Sequence, residues 1–276
     1  MTLKNVICYL LSMDTVFIVK LILSFITGSV WITAGTVLAE RYGTKIGGLI
    51  AGLPSTILIS LFFIGWTQSE ATAVAATTIV PIIGGINCLF ILTYILLIKV
   101  HFIIAIGGAL SIWFVLSTGL VIMGFNNFLL SVLAYCVLLV VSHYIVEHRL
   151  RIPSEPGRNI QYTPVAIVMR ALFSGAVISL AVICAKVGGP ILGGVFAMFP
   201  AMFVGTIFIT YCTRGALFSA AVMKSSILGA ISVVIYGIAT RYTYLPFGLI
   251  GGTFISMAIS CGSSLCIHGF IKKMTT

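Results

Sequence analysis

Two prolines interrupt apolar segments that are otherwise long enough to cross a membrane. Pro54 ends the stretch Gly-Leu-Ile-Ala-Gly-Leu-Pro, and Pro200 ends the stretch Gly-Val-Phe-Ala-Met-Phe-Pro. A proline inside a helix removes one N–H donor and displaces the carbonyl four residues earlier, which here belongs to Ile50 or Phe196. Because lipid cannot satisfy the freed groups, such breaks must be buried in protein or line a cavity. Two matched breaks therefore predict the binding site of a transporter.

Hydroxyl side chains accompany the first of these breaks. Ser55 and Thr56 follow Pro54 directly, and Thr77 and Thr78 lie inside the next apolar segment. The start of a helix after a break presents unpaired N–H groups and the positive end of the helix dipole. Together with hydroxyl donors, this environment favours an anionic group on the bound molecule.

Lys224 is the most informative charge in the chain. It lies ten residues after Arg214 and is followed by Ser225. Ten residues of straight helix cover about 15 Å, which is half of a roughly 30 Å hydrocarbon core. An ionised side chain at that depth is costly and is a functional-site hypothesis by default. Two interpretations stay open: Lys224 faces a cavity between the broken helices, or it extends to the cytoplasmic surface.

Other polar residues near the ends of apolar segments favour ordinary interfacial roles. His143, Glu147 and His148 form H-x-x-x-E-H, which fits a metal site or protonation switch but also a plain polar helix end. Lys20 and Arg170 are expected to extend toward the membrane surface. No Ser-His-Asp set, H-E-x-x-H motif or carboxylate pair lies within an apolar segment. We therefore expect no enzyme activity, no cofactor and no metal, and proton or cation coupling through a buried carboxylate is disfavoured.

The composition places most of the chain in a membrane. Of 276 residues, 60% are apolar and 7% are charged, whereas a soluble domain has about 25% charged residues. A mean hydropathy of +1.23 and repeated apolar segments of about 20 residues predict an all-α polytopic membrane protein. Because most basic residues fall between the apolar segments, the net charge of +10 is expected to set topology and not to bind nucleic acid.

About nine membrane spans are predicted. They run over residues 15–38, 45–66, 72–98, 102–123, 126–146, 164–186, 190–212, 215–239 and 245–269. The loop 147–163 between the fifth and sixth spans is long, polar and basic, and it divides the chain into two halves.

Lysine and arginine are unevenly distributed between the two sides of the predicted spans. Nine lie on one side: Arg41, Lys45, Lys99, Arg149, Arg151, Arg158, Arg214, Lys272 and Lys273. Three lie on the other: Lys4, Lys186 and Arg241. The positive-inside rule predicts a protein of the plasma (inner) membrane with its N-terminus outside and its C-terminus in the cytoplasm.

The two halves share a pattern of small residues. Thr27-Gly-Ser-Val matches Ser174-Gly-Ala-Val, Gly47-Gly48 matches Gly193-Gly194, and Gly107-Gly108 matches Gly251-Gly252. Spans 1–4 thus correspond to spans 6–9, and the odd number of spans between the two starts inverts the second copy. We predict repeat 1 at 1–123, a connector helix with the basic loop at 124–163, and repeat 2 at 164–276, each repeat with a proline-broken second helix.

Residues 185–227 contain the second proline-centred stretch, the short polar turn Thr213-Arg214-Gly215 and another apolar span. This arrangement resembles the GlpM family of small inner-membrane proteins, which are about half the length of this chain. The resemblance implies two such units fused through an inverting helix. It implies no activity and no functional residue.

These features predict a secondary carrier that works by alternating access on a small, anionic solute bound near the midplane. The predicted binding residues are Pro54, Ser55, Thr56, Thr77, Thr78, Pro200, Lys224 and Ser225. The expected partners are this solute and membrane lipids, and a homodimer remains open. Two alternatives also remain open: an accessory membrane protein of envelope or polysaccharide synthesis, and a lipid-modifying enzyme that uses the basic cytoplasmic loop.

Overall fold

The computed structural model describes residues 14–41, 54–150 and 163–275, and the regular elements in these ranges are helical. The helices are α1 (Thr15–Arg41), α2 (Ser55–Thr67), α3 (Glu70–Ala76), α4 (Val80–Leu97), α5 (Phe102–Ile122), α6 (Phe128–Tyr144), α7 (Pro164–Gly188), α8 (Pro190–Ala197), α9 (Ala201–Gly229) and α10 (Ile231–Thr275). A π-helical turn, Ile145–Arg149, extends α6. The prediction of an all-helical chain is confirmed for this part of the sequence.

Six helical segments in the described ranges are long and apolar enough to cross a membrane. They are Thr15–Ala34, Val80–Leu97, Phe102–Ile122, Phe128–Arg149, Pro164–Gly188 and Pro190–Cys266. Their length and composition fit a multi-pass membrane protein, as the composition predicted.

The segment Pro190–Cys266 is not one straight helix. Its 77 residues would extend about 115 Å as a single helix, several times the thickness of a hydrocarbon core. The chain leaves the helical path at residues 198–200, and again at Gly215 and Gly248, where φ is 83° and 70°. These angles lie in the left-handed region, which glycine adopts without a steric cost. The glycines therefore allow the chain to turn where another residue would be strained.

Helix α4 forms the centre of the molecule. Of its apolar span, 72% is buried, compared with 22% in α1, α5 and α6. The outer helices expose large apolar side chains such as Val115 and Val140. A surface of this kind is stable against lipid and not against water. The helices α1, α5 and α6 thus form much of the outer layer around α4.

Helices α1 and α7 pack against each other in antiparallel directions. Near the start of α1, the Phe17 ring lies 4.1 Å from Lys186 Nζ near the end of α7. Further along α1, Ser29 Oγ donates a hydrogen bond of 3.0 Å to the Ala171 carbonyl, which lies near the start of α7. Later residues of α1 thus contact earlier residues of α7, which means that the two helices are antiparallel.

The matched glycines of the two halves lie at this crossing. A Cβ atom added to Gly28 would lie 2.5 Å from Ile178 Cδ1, and one added to Gly175 would lie 2.8 Å from the Phe25 carbonyl oxygen. Neither position has room for a side chain. Small residues at such a crossing allow two backbones to approach closely in a membrane, where dispersion contacts replace the hydrophobic effect.

The α3–α4 region and the residues 216–247 are also antiparallel. Near the start of the first region, Thr78 Oγ1 accepts a hydrogen bond of 3.1 Å from Arg241, near the end of the second. Near the end of α4, the Tyr94 hydroxyl lies 2.8 Å from Ser219 Oγ, near the start of the second region. Two pairs of helical segments that the sequence analysis matches between the halves therefore run in opposite directions.

Polar contacts identify one end of the bundle, which we call the Trp66 end and define by Lys20, Trp66, Glu70 and Leu249. The Lys20 ammonium donates to the Trp66 carbonyl at 2.7 Å. The Leu249 N–H donates to Glu70 Oε1 at 2.8 Å. The ends of α2 and the beginnings of α3 and of the 249–275 helix therefore meet at the Trp66 end.

Candidate functional site

The first break in the described residues lies at 77–79, between α3 and α4. Pro81 has no N–H to donate to the Thr77 carbonyl, and this carbonyl accepts a hydrogen bond of 3.2 Å from the Val80 N–H instead. The Thr77 hydroxyl is fully buried and donates to the Val74 carbonyl at 2.6 Å. The Thr77 carbonyl and the N–H groups of Thr77 and Thr78 are thus satisfied by local turns.

Neighbouring elements pack tightly over the 77–79 break. Helix α8 presents Gly194 to it, and a Cβ atom on this glycine would overlap the Ala76 carbonyl oxygen. On another side, Thr78 accepts the hydrogen bond from Arg241, whose guanidinium lies 4.4 Å from the Phe128 ring centre. The break is therefore closed by backbone contact and by a charged side chain.

The second break lies at 198–200, between α8 and α9. The Phe196 carbonyl, which the sequence predicts to be displaced by Pro200, accepts a hydrogen bond of 3.1 Å from the Phe199 N–H. The Met198 carbonyl, by contrast, finds no local donor in the described structure. It accepts a hydrogen bond of 3.0 Å from Asn87 Nδ2, across from the central helix α4. A single side chain of the other half of the chain thus satisfies this break.

Unused polar atoms surround the 198–200 break. Asn87 is 5% exposed, and its Oδ1 has no hydrogen-bond partner among the described residues. Trp113 is 1% exposed, and its Nε1 likewise lacks a described partner. The Trp113 ring packs edge-on against Phe199, with ring centres 5.0 Å apart. One acceptor and one donor are therefore available in the interior close to this break.

A guanidinium lies beside the same break. Arg170 Nη2 is 3.2 Å from Met202 Sδ, at the second residue of α9. Further along the same face of α9, a Cβ atom on Gly205 would lie 3.8 Å from Arg170 Cγ, so the aliphatic part of the arginine runs along the first turns of the helix. The positive end of the α9 dipole and the arginine charge thus lie on the same side of Pro200.

Two more unused hydroxyls occupy one face of α2. Pro54 is buried and precedes this helix, and Thr56 Oγ1 and Ser60 Oγ, four residues apart, lack partners in the described part of the chain. Between these two residues, Ile57 packs against α10 near Gly237, which also contacts Val80 at the start of α4. The start of α2 therefore lies beside the start of the central helix.

Lys224 forms an ion pair with a residue of the π-helical turn after α6. Its Nζ lies 2.8 Å from Glu147 Oε2 in the π-helical turn that follows α6, and the Glu147 side chain is 41% exposed. The Lys224 side chain is only 12% exposed, and its predicted depth near the middle of a span remains a prediction. Ser225 is exposed, and its hydroxyl donates to the Val222 carbonyl of its own helix.

The predicted site residues thus divide into three sets. Thr77 and Thr78 lie at one break and Pro200 at the other, with α4 adjoining both. Pro54, Ser55 and Thr56 begin the neighbouring helix α2. Lys224 pairs with Glu147 and the Ser225 hydroxyl bonds within its own helix, and residues 48–53 of the first heptapeptide fall outside the described residues.

Sequence reasoning overlooked Asn87 and Trp113. The signal for Asn87 was present, because a carboxamide in the middle of an apolar segment requires a partner and so points to an interior contact. Trp113 resembles any other apolar residue of α5 in the sequence. Within the described ranges, no three His, Cys, Asp or Glu residues are grouped so as to hold a metal ion.

Comparison with known proteins yields one match. Residues 21–126 match a family described as a protein of unknown function (DUF3147). The match includes most of α1, all of α2 to α5, and ends just before α6 begins at Phe128. No curated protein and no solved structure matches the chain. No comparison links it to the GlpM family, so that resemblance remains a prediction.

Proposed function

We propose that the protein is a secondary carrier of the plasma (inner) membrane that moves a small anionic solute by alternating access. The antiparallel packing of corresponding helices around two breaks is the observation that carries this proposal. Inverted repeats with a site between broken helices are a common construction of such carriers. A repeat generated by an axis along the membrane normal would instead give parallel corresponding helices.

Nine membrane crossings in two inverted four-helix repeats account for the breaks and turns of the described chain. The turns at Gly215 and Gly248 separate the last three crossings. The breaks at 77–79 and 198–200 lie within crossings, at positions where their carbonyls are satisfied by protein. In this proposal α6 is the connector, the N-terminus is outside and the C-terminus is cytoplasmic.

The family match supports a half-length unit as the building block. It ends at residue 126, close to the predicted end of repeat 1 at residue 123. A unit of about four helices that recurs in other proteins is the expected ancestor of a fused inverted repeat. The second half would then be a diverged copy of the same unit.

The solute is proposed to bind between α4, α2 and the 198–200 break. Arg170 and the start of α9 provide positive potential, and Trp113 provides an N–H donor, all of which suit an anionic group. Asn87 Oδ1 is suited to accept a hydrogen bond from a hydroxyl or amine of the same solute. Ser55 and Thr56 after Pro54 contribute the hydroxyl donors, whereas the Thr77 hydroxyl is used by the Val74 carbonyl at the closed 77–79 break.

The breaks also suit a protein that alternates between two arrangements. A helix divided into two rods can move one rod while the other stays fixed, because no continuous hydrogen-bond ladder joins them. The Lys224–Glu147 pair joins α9 to the π-helical turn that follows α6. In this mechanism the pair is a contact that one arrangement makes, and solute binding occurs at the 198–200 break.

A ligand screen with matched variants tests the proposal. The purified chain in detergent is heated with a panel of small carboxylates, phosphate and sulfate, and with uncharged sugars and amides for comparison. A ligand that binds only the folded state stabilises it by about 2.7 kcal/mol when its concentration is one hundred times Kd. The apparent Tm therefore rises with the ligand concentration. We expect at least one anion to raise the Tm and the uncharged solutes to have no effect.

The matched variants are Arg170→Gln and Lys99→Gln. Lys99 is an exposed cation at the end of α4, remote from the breaks, so its variant should keep the response to the anion. Arg170→Gln should lose most of it. Stabilisation by uncharged solutes alone would overturn the anionic class. If the best anion is not taken up by proteoliposomes containing the wild-type chain, transport is wrong even where binding is observed.

A further inference from the structure

A groove of about 570 Å³ lies at the Trp66 end, between the end of α2 and the chain turn at Gly248. Its walls are apolar: Phe62 and Trp66 lie on one side, and Phe247, Ile250 and Gly251 lie on the other. It is separate from the breaks at 77–79 and 198–200. The proposed carrier function makes no use of it.

The groove opens to the outside of the bundle. The exposed fractions of Trp66, Phe247 and Ile250 are 41%, 59% and 66%. These residues lie at the ends of apolar helices, where the hydrocarbon core gives way to the headgroup region. Aromatic residues are enriched at this depth because their rings tolerate both environments. Apolar walls at this depth accommodate an acyl chain, which is a chain of methylene groups.

Charged groups beside the groove indicate the sign of the headgroup. The Lys20 ammonium lies 5.0 Å from the Trp66 ring centre, and it donates to the Trp66 carbonyl, which leaves two N–H donors on the same nitrogen. Glu70 also borders the groove, but its carboxylate accepts the Leu249 N–H at the start of the 249–275 helix. The positive end of that helix opposes the carboxylate charge. Lys20 is not part of the lining, but its contact with Trp66 brings a cation beside the groove for an anionic headgroup.

We propose that this groove binds an anionic phospholipid, with one acyl chain between Trp66 and Gly251 and the phosphate beside Lys20. The apolar walls hold the chain, and the ammonium provides the headgroup preference. A lysine near the membrane surface contributes about a fivefold preference for an anionic over a zwitterionic lipid. The site is independent of the carried solute.

Tryptophan quenching by brominated lipids tests the site, because bromine quenches only the rings that it contacts. The chain has three tryptophans, and Trp31 and Trp66 are similarly exposed, at 38% and 41%. A variant with Trp66 alone, Trp31→Phe with Trp113→Phe, reports on the groove. A variant with Trp31 alone, Trp66→Phe with Trp113→Phe, reports on ordinary lipid contact. Both are reconstituted in vesicles that mix brominated phosphatidylglycerol or brominated phosphatidylcholine with the unbrominated lipid.

We expect the same degree of Trp66 quenching from the anionic lipid at about one fifth of the mole fraction that the zwitterionic lipid requires. Trp31 should show no such preference. Lys20→Gln in the Trp66 variant should abolish the preference, and Lys20→Arg should keep it. Gly251→Leu should reduce quenching by both lipids, because a Cβ atom there fits but a larger side chain fills the groove. Gly107→Leu, on an open helix surface, is the matched control.

Equal quenching of Trp66 by the two lipids would overturn the proposal, as would a preference that Lys20→Gln leaves intact. The wild-type chain supplies a second measurement that needs no tryptophan substitution. After delipidation in detergent and addition of phosphatidylglycerol, native mass spectrometry should show one retained lipid per chain, and Lys20→Gln should lose it. Retention of the same lipid by Lys20→Gln would contradict the assignment even if the tryptophan variants failed to fold.

Discussion

The two breaks that adjoin α4 are closed in different ways. At 77–79, the turn satisfies its own backbone groups and Gly194 packs directly onto the Ala76 carbonyl. At 198–200, the Met198 carbonyl depends on one hydrogen bond from Asn87, and donor and acceptor atoms nearby remain unused. Backbone packing over the first break leaves no room for a ligand. The second break retains the polar atoms that a ligand needs, so the two breaks are suited to different tasks.

This difference suggests that the 77–79 break fixes the architecture and that the 198–200 break binds and moves. A break closed by backbone contact has one arrangement, because any shift creates either overlap or a void. A break closed by one side chain can exchange that partner for a solute at little cost. Four substitutions test the distinction, in order of decreasing expected effect.

Gly194→Ala should have the largest effect on stability. Its Cβ atom would overlap the Ala76 carbonyl, and a backbone atom cannot move aside as a flexible side chain can. We expect a loss of about 1–3 kcal/mol in the free energy of unfolding, measured by denaturant titration in detergent. Gly119→Ala on α5 is the control, since a Cβ atom there meets nothing within 4 Å and alanine favours helix. Equal stability of the two variants would show that the first break is loosely packed.

Asn87→Leu should have the second largest effect. It removes the donor of the Met198 carbonyl and leaves that oxygen buried without a partner, at a cost of about 1–2 kcal/mol. The same titration measures it. Ser117→Ala serves as the control, because the Ser117 hydroxyl is buried and has no described partner, so its removal should cost almost nothing. A variant Asn87→Leu as stable as the wild type would mean that the 198–200 break does not depend on this side chain.

Thr78→Val should cost less, about 0.6 kcal/mol, the average for one interhelical hydrogen bond in a membrane. Arg241 loses the Thr78 hydroxyl but keeps its place over the Phe128 ring. The matched variant Thr77→Val removes only a bond to the Val74 carbonyl of the same turn, so it should change stability less. A larger loss for Thr77→Val than for Thr78→Val would indicate that the turn itself, and not the neighbouring elements, holds the first break.

Lys224→Met should have the smallest effect on stability, at most about 0.5 kcal/mol, because removal of an ammonium that is only 12% exposed offsets much of the lost ion pair with Glu147, which is 41% exposed. The sharper readout is the Tm increase with the best anion of the ligand screen. If binding is confined to the breaks, this increase should be the same as in the wild type. Loss of the response with an unchanged Tm would show instead that Lys224 reaches the solute, as one reading of the sequence predicts.

Much of the general architecture is readable from the sequence. The apolar segments, the prolines and the glycines are local properties of the chain, and each acts on the backbone where it stands. For that reason Pro200 locates the 198–200 break without any coordinates, whereas the break at 77–79, four residues before Pro81, was not predicted. The glycines that the two halves share, Gly28 and Gly175, indicated only a repeat in the sequence, and their close contact across two helices was found in the structure.

The partners of the polar residues required the tertiary structure. Counting along a straight helix from Arg214 gives a depth for Lys224, but the ion pair depends on how the region 216–247 aligns with α6, and that alignment is set by packing along both helices. The hydrogen bond from Asn87 to Met198 joins residues that are more than one hundred positions apart. Hydrophobicity decides that a helix enters the membrane, and it carries no information about which face of that helix meets which neighbour. That choice is made by shape and hydrogen bonding among all the helices at once.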